Sequence, residues 1–139
     1  MQEINWKYAI GRWRPIATLE NESQLTLMAL RRMAHFCVVS SLHDGMNLVA
    51  KEFVASRFDE DGVLILSQFT GAARELTDAL LINPYATDHF AEAIKDALQM
   101  PVAERQRRMR KMREIVRENN IYKWAADIIS ELVKFKTGA

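Results

Sequence analysis

Gly62-Val63-Leu64-Ile65-Leu66-Ser67 is the stretch that most narrows what this chain can fold into. Its four apolar residues stand between acidic Asp59-Glu60-Asp61 and turn-prone Gln68-Phe69-Thr70-Gly71. The run is too short for a helix and apolar in both alternations, so it reads as a central parallel strand covered on both faces. Phe36-Cys37-Val38-Val39-Ser40 has the same character and leads into the polar loop Ser41-Leu42-His43-Asp44-Gly45. Ala79-Leu80-Leu81-Ile82 is a further strand, stopped by Asn83-Pro84, and Pro15 to Leu19 is another candidate.

Helical stripes separate these runs. Leu25, Met28, Leu30 and Met33 recur at helical spacing behind Asn21 or Ser23 as the cap, and Asn47 to Arg57 forms the next helix. Gly71 to Leu76 allows a helical turn or two, and Thr87 or Asp88 caps a helix reaching Met100. Pro101 starts another, Asn119-Asn120 breaks it, and Ile121 to Phe135 closes an all-helical end. Trp6 to Trp13, with Gly11 inside it, reads as a loop or short hairpin. The pattern is α/β: a Rossmann-like parallel sheet flanked by helices, with a helical C-terminal tail. A length of 139 residues suits one domain over 1–139, with 1–14 as a linker segment and 102–139 as the C-terminal helices.

Charge excludes several partners. With 19 Lys and Arg against 18 Asp and Glu there is no global positive field to steer a polyanion. The run from Glu104 to Glu118 carries seven basic residues against three acidic ones, but Met109, Met112, Ile115 and Val116 interleave as a core stripe. No nucleic-acid partner is expected. One cysteine, inside an apolar strand, reads as a small core residue, and His35, His43 and His89 are too scattered for a metal site. No apolar run reaches the ~20 residues that span a bilayer, so the expected place is the cytoplasm, with no membrane partner.

Asp44-Gly45-Met46-Asn47-Leu48-Val49-Ala50-Lys51-Glu52 stands where a strand hands over to a helix, the position at which open α/β sheets bind ligands. Gly45 is expected to let the backbone turn tightly, and the amides of Met46, Asn47, Leu48 and Val49 lie at a helix N-terminus, which favours an anion such as phosphate. Glu52 follows Leu48 and Val49 at helical spacing, with Lys51 and Arg57 expected on the solvated face. Its two acceptor oxygens suit a vicinal diol such as that of a ribose, while Asp44 could hold a sugar hydroxyl. The plainer alternative is that Asp44 caps the helix and Glu52 bridges Arg57 or another basic group. Gly71-Ala72-Ala73-Arg74-Glu75 could bring small residues and amides to the same crevice, or merely permit close packing.

The run Ser41 to Ala55, followed by Gly62 to Leu76 and by Asn83-Pro84-Tyr85, resembles the trehalose-6-phosphate synthases, and the likeness extends from about Pro15 to the last helix. The resemblance implies the C-terminal, nucleotide-sugar-binding half of a two-domain GT-B fold in a retaining glycosyltransferase. That enzyme passes glucose from UDP-glucose to glucose 6-phosphate without a cofactor metal. It further implies that Asp44 binds donor glucose hydroxyls and that the amides of Gly45, Met46 and Asn47 lie near the sugar. The amides of Leu48 and Val49 would lie near the diphosphate, and Glu52 would take the ribose diol of UDP. The family's acceptor-binding domain, and the basic pair that neutralises the diphosphate, would lie upstream of residue 1. Two positions depart from the family: His43 stands where Arg is common, and Glu20-Asn21-Glu22-Ser23 carries no aromatic or Arg near the base site. The expected partners are therefore UDP-glucose or UDP, and either the missing domain or a second copy. No glucosyl transfer is expected of the isolated chain, and a non-catalytic nucleotide-sugar or phosphate-binding module is the alternative.

Overall fold

The computed structural model describes residues 2–137. Its element order is α1 (Gln2–Tyr8), α2 (Gln24–Met33), β1 (Phe36–Val39), α3 (Leu48–Ser56), β2 (Val63–Ser67), β3 (Leu80–Ile82), α4 (Thr87–Gln99), α5 (Val102–Glu118) and α6 (Ile121–Thr137). The three strands are parallel in the order β1-β2-β3, with Phe36 opposite Val63 and Ile65 opposite Leu80. Parallel pairing forces each connection to cross a face of the sheet. Helix α3 makes the first crossing, and the short 3₁₀ turn Gly71–Arg74 with Leu76 and Ala79 makes the second on the same side.

Alternation in β2 divides the core in two. Leu64 and Leu66 face Ala50, Phe53 and Val54 of α3 and Met109 and Met112 of α5, while Val63 and Ile65 face Ala93 and Ala97 of α4. β2 is therefore buried at every position, as its continuous apolar run predicts. β1 departs from the expectation of burial on both faces: it is an edge strand, and Val38 remains 46% exposed. On the face that Val38 shares, α4 packs over β2 and β3, and from β1 Phe36 reaches that cluster.

Three further expectations change at the backbone, and the choice between two caps for α2 is resolved. Trp6 to Tyr8 is helical, and only Ile10 and Trp13 form a hairpin-like antiparallel bridge. Pro15 to Leu19 makes no strand, because the Asn5 side chain holds both the amide and the carbonyl of Ile16 at 2.8 Å. Ser23, rather than Asn21, caps α2, by accepting the Thr26 amide. At α4 the cap position is Ala86 without a side-chain bond, and Thr87 is already helical.

Arg57 does not join the solvated face. It is 4% exposed, and its guanidinium donates to the carbonyls of Asp61, Arg32 and Ala34 and to the Asp59 carboxylate. One buried cation thus binds the C-terminal carbonyls of α2, the approach to β1 and the turn before β2. The basic run of α5 acts in the same internal way. Arg105 pairs with Asp61, Arg107 and Arg108 with Glu104, and Arg110 with Glu60, while Arg113 donates to the carbonyls at the end of α3. No helix among the described residues is long and apolar enough to cross a membrane.

Candidate nucleotide-sugar site

Because all three strands run in the same direction, the loops that follow them gather at one end of the sheet. The loop after β1 and the loop after β2 are stitched together there. The Asp44 amide donates to the Phe69 carbonyl at 3.3 Å, and the Gly71 amide donates to the Asp44 carbonyl at 2.9 Å. A side chain on Gly71 would collide with this arrangement, since its Cβ would lie 1.9 Å from the Gly45 carbonyl oxygen. Gly71 therefore permits close contact between loops, and its own amide is engaged. The chain bends at Gly45, but with open space around it and no positive φ the bend does not itself demand a glycine. Left-handed backbone falls on Asn47, at φ 62°, a conformation that Asn tolerates better than most residues.

Asn47 can hold that conformation because its side chain is bonded at both ends. Its Nδ2 donates to Asp44 Oδ2 at 2.8 Å, and its Oδ1 accepts the Ala50 amide at 2.9 Å. Asn47, not Asp44, is the cap of α3; Asp44 orients the cap. Oδ1 of Asp44 also accepts the amides of Met46 and Asn47, at 3.2 and 3.0 Å. The Asn47 side-chain bond first, and these amides with it, hold the Asp44 carboxyl below its ordinary range. Two of the amides expected to face a sugar are thus bonded within the loop. Oδ2 carries a single partner and retains capacity for another hydroxyl donor.

The amides of Leu48 and Val49 follow directly and have no acceptor among the described residues. They are the first two donors of α3, where backbone polarity favours an anion. Exposed Leu48, Val49 and Glu52 lie along one outer face of the helix, opposite Ala50, Phe53 and Val54 in the core. The expected stripe exists but faces outward, and Glu52 meets Arg31 of α2 at 2.7 Å in place of Arg57. Asp44 through Val49 are therefore brought together in one turn of chain, with Glu52 one turn further along.

A cleft of about 560 Å³ opens beside this loop, lined by Met46 and Leu48 on one side and Ile121 and Trp124 on the other. Lys51 and Glu75 lie between, 2.8 Å apart. Contrary to the expected solvated face, Lys51 is half of an ion pair. Glu75 and Asn119 also line the cleft, yet a carboxylate after small residues and an asparagine at a helix break carry no distinctive signal in the sequence alone. His43 is exposed, and the His89 Nδ1 accepts the Asn83 amide at 3.4 Å in the first turn of α4. Cys37 packs against the core, and burial first of all raises its thiol pKa. Among the described residues no group of three or more His, Cys, Asp or Glu is placed to hold a metal ion.

The sequence pattern described for glycosyltransferase family 20 matches residues 1–134. The chain belongs to glycosyltransferase family 20. Relatives include a trehalose-6-phosphate synthase of Enterobacter sp. (strain 638), 47% identical over 131 residues, covering 93% of this chain and 28% of that protein. A bifunctional trehalose-6-phosphate synthase/phosphatase of Thermoproteus tenax is 44% identical over 135 residues, 97% of this chain and 18% of that protein. Among solved structures, the α,α-trehalose 6-phosphate synthase of Burkholderia multivorans is 42% identical, with a TM-score of 0.91 over 99% of this chain and 30% of its own. A structure from E. coli bound with UDP-2-fluoro glucose is 44% identical, with a TM-score of 0.88 over 94% of this chain and 29% of its own. This family 20 chain thus spans less than a third of these relatives, and its α/β fold is that of the corresponding part of the solved ones.

Proposed function

We propose that this chain is the donor-binding, C-terminal part of a trehalose-6-phosphate synthase of the retaining, GT-B kind, and that it takes UDP-glucose. The observation that carries the reading is the pair of amides at Leu48 and Val49, unpaired among the described residues and presented by a loop that Asp44, Asn47 and Gly71 hold in place. A diphosphate set against these amides gains charge-assisted hydrogen bonds from donors already oriented, and the same contacts stabilise the negative charge that develops as UDP departs. Asp44 Oδ2 would accept a glucose hydroxyl, with the Gly45 amide and the bonded Met46–Asn47 backbone lining the sugar. Glu52 would take the ribose diol, releasing Arg31. Open space at Gly45 fits this arrangement, because nothing within the protein requires a glycine there.

Acceptor binding is assigned to the part of the relatives that this chain does not span. Orientation of two reactants supplies up to ~7 to 11 kcal/mol of barrier lowering, so the chain alone is expected to bind donor without transferring glucose. Calorimetric titration tests the reading: UDP is expected to saturate the chain at about millimolar concentration, and no saturation would overturn it. Glu52→Ala is expected to weaken UDP roughly tenfold, while Arg31→Ala, which frees the carboxylate, leaves affinity equal or higher. Equal losses in both variants would return Glu52 to a purely structural bridge.

A further inference from the structure

Helix α6 and the amide end of α3 are joined by one continuous chain of polar contacts. Glu75 receives the Lys51 ammonium on both carboxylate oxygens, at 2.8 and 3.1 Å, and the Asn119 amide on Oε2 at 3.0 Å. Oδ1 of Asn119 in turn accepts from Lys123 at 2.8 Å. Lys51 stands in the first turns of α3, three residues after Leu48. Asn119 and Lys123 flank the start of α6, where Asn120 accepts the amides of Tyr122 and Lys123. Glu75 itself leaves the 3₁₀ turn whose first residue, Gly71, is bonded to Asp44. Burial raises the Glu75 carboxyl pKa, but the Lys51 and Asn119 bonds outweigh it and hold the group ionised below its ordinary range.

We infer that Glu75 is a positioning residue: through Lys51 and Asn119 it sets the orientation of the first turn of α3, and hence of the Leu48 and Val49 amides, against the docking of α6. Geometry requires such a tie. Leu48 and Val49 are exposed, so core packing grips the first turn of α3 at one small side chain, Ala50, before Phe53 and Val54 fix the helix further along. Lys51 is the polar side chain of that first stretch held from outside the helix and its cap, and it is mostly buried against Glu75. Helix α6 packs little apolar surface on the body, so its attachment at this end falls to Asn119, Lys123 and the cleft wall at Trp124. A shift of α6 therefore moves Glu75, and a shift of Glu75 moves the amides. The inference rests on the donor-site reading for its consequence, though not for its geometry.

Amide hydrogen exchange of the whole chain, without nucleotide, separates the two. In Glu75→Gln the segment 46–54 is expected to exchange about three- to tenfold faster, with β2 (63–67) unchanged, and in Lys51→Arg to stay near wild type. Asn119→Ala, which keeps the Lys51 pair, is expected to accelerate the start of α6 more than α3. With UDP as the probe, Glu75→Gln should bind about three- to tenfold more weakly and Lys51→Arg near normally. Unchanged exchange over 46–54, or equal acceleration in β2, would overturn the positioning role. Should Glu75→Gln not fold, Lys51→Met carries the same expectation. Faster exchange over 46–54 in a chain that shows no affinity for UDP would support the positioning role and overturn the donor reading alone.

Discussion

A β-carbon on Gly71 would come within 1.9 Å of the carbonyl oxygen of Gly45, so the second loop at the sheet's end can close on the first only because residue 71 has no side chain. The contact is backbone against backbone and cannot be relieved by a rotamer change. Gly71→Ala is expected to lower stability by about 1 to 3 kcal/mol through overpacking, and to displace Asp44 with it. Gly45→Ala meets open space and should leave the melting temperature nearly unchanged while weakening UDP. Paired thermal melts and titrations of the two variants check this, and the opposite ranking of stability would place the constraint elsewhere.

Asp44 is held ionised by the Asn47 side chain and the two loop amides. Its folded pKa lies below the unfolded value of about 3.9, so its contribution is present above that pH and is lost as pH falls through the folded value. Loop geometry should therefore be constant from about pH 5 to 8. Carboxyl NMR should show Asp44 titrating below free aspartate, and Asn47→Ala should move it back up.

Arg57 donates to four main-chain carbonyls, those of Arg31, Arg32, Ala34 and Asp61, and to the Asp59 carboxylate from a buried position. Arg57→Met is expected to cost about 3 to 5 kcal/mol, because those partly buried carbonyls all lose their donor at once. Arg57→Lys should recover only part of the loss, since a single ammonium cannot span the same acceptors. Denaturant unfolding of the three proteins measures the order.

Helix α6 leaves Ile121, Trp124, Ile128 and Leu132 exposed on helical spacing, and Phe135 is 93% exposed. The Trp6 to Trp13 segment does not shield them; Trp6 is itself 86% exposed. Covering about 400 Å² of such surface gains roughly 10 kcal/mol before association costs. Light scattering across a concentration series is expected to show self-association of the chain, abolished in Ile128→Asp, whereas a clean monomer at high concentration would count against it.

Much of the fold is local and so was legible in the residues. Val63 to Ser67 is apolar in both alternations and became the central strand, and Pro101 and Asn119-Asn120 bound a helix because their backbone preferences act within a turn. The strand-to-helix handover followed as well, since Asp44 to Val49 joins β1 to α3 at the end where parallel strands deliver their loops.

What the residues determined alone is the set of strands and helices, the handover at Asp44 and membership of a family through motifs that survive in linear order. Tertiary structure decided which groups in that handover remain free. Asp44 turned its carboxylate onto Met46 and Asn47, leaving Leu48 and Val49 as the open donors, and Gly71 proved to be the glycine required by close approach. It also decided that Arg57 is buried and that Lys51 answers to Glu75, 24 residues away. Periodicity assigns a side chain to a face of its own helix. Only packing determines what stands opposite that face, and hydrogen-bond partners distant in sequence leave no trace in local spacing.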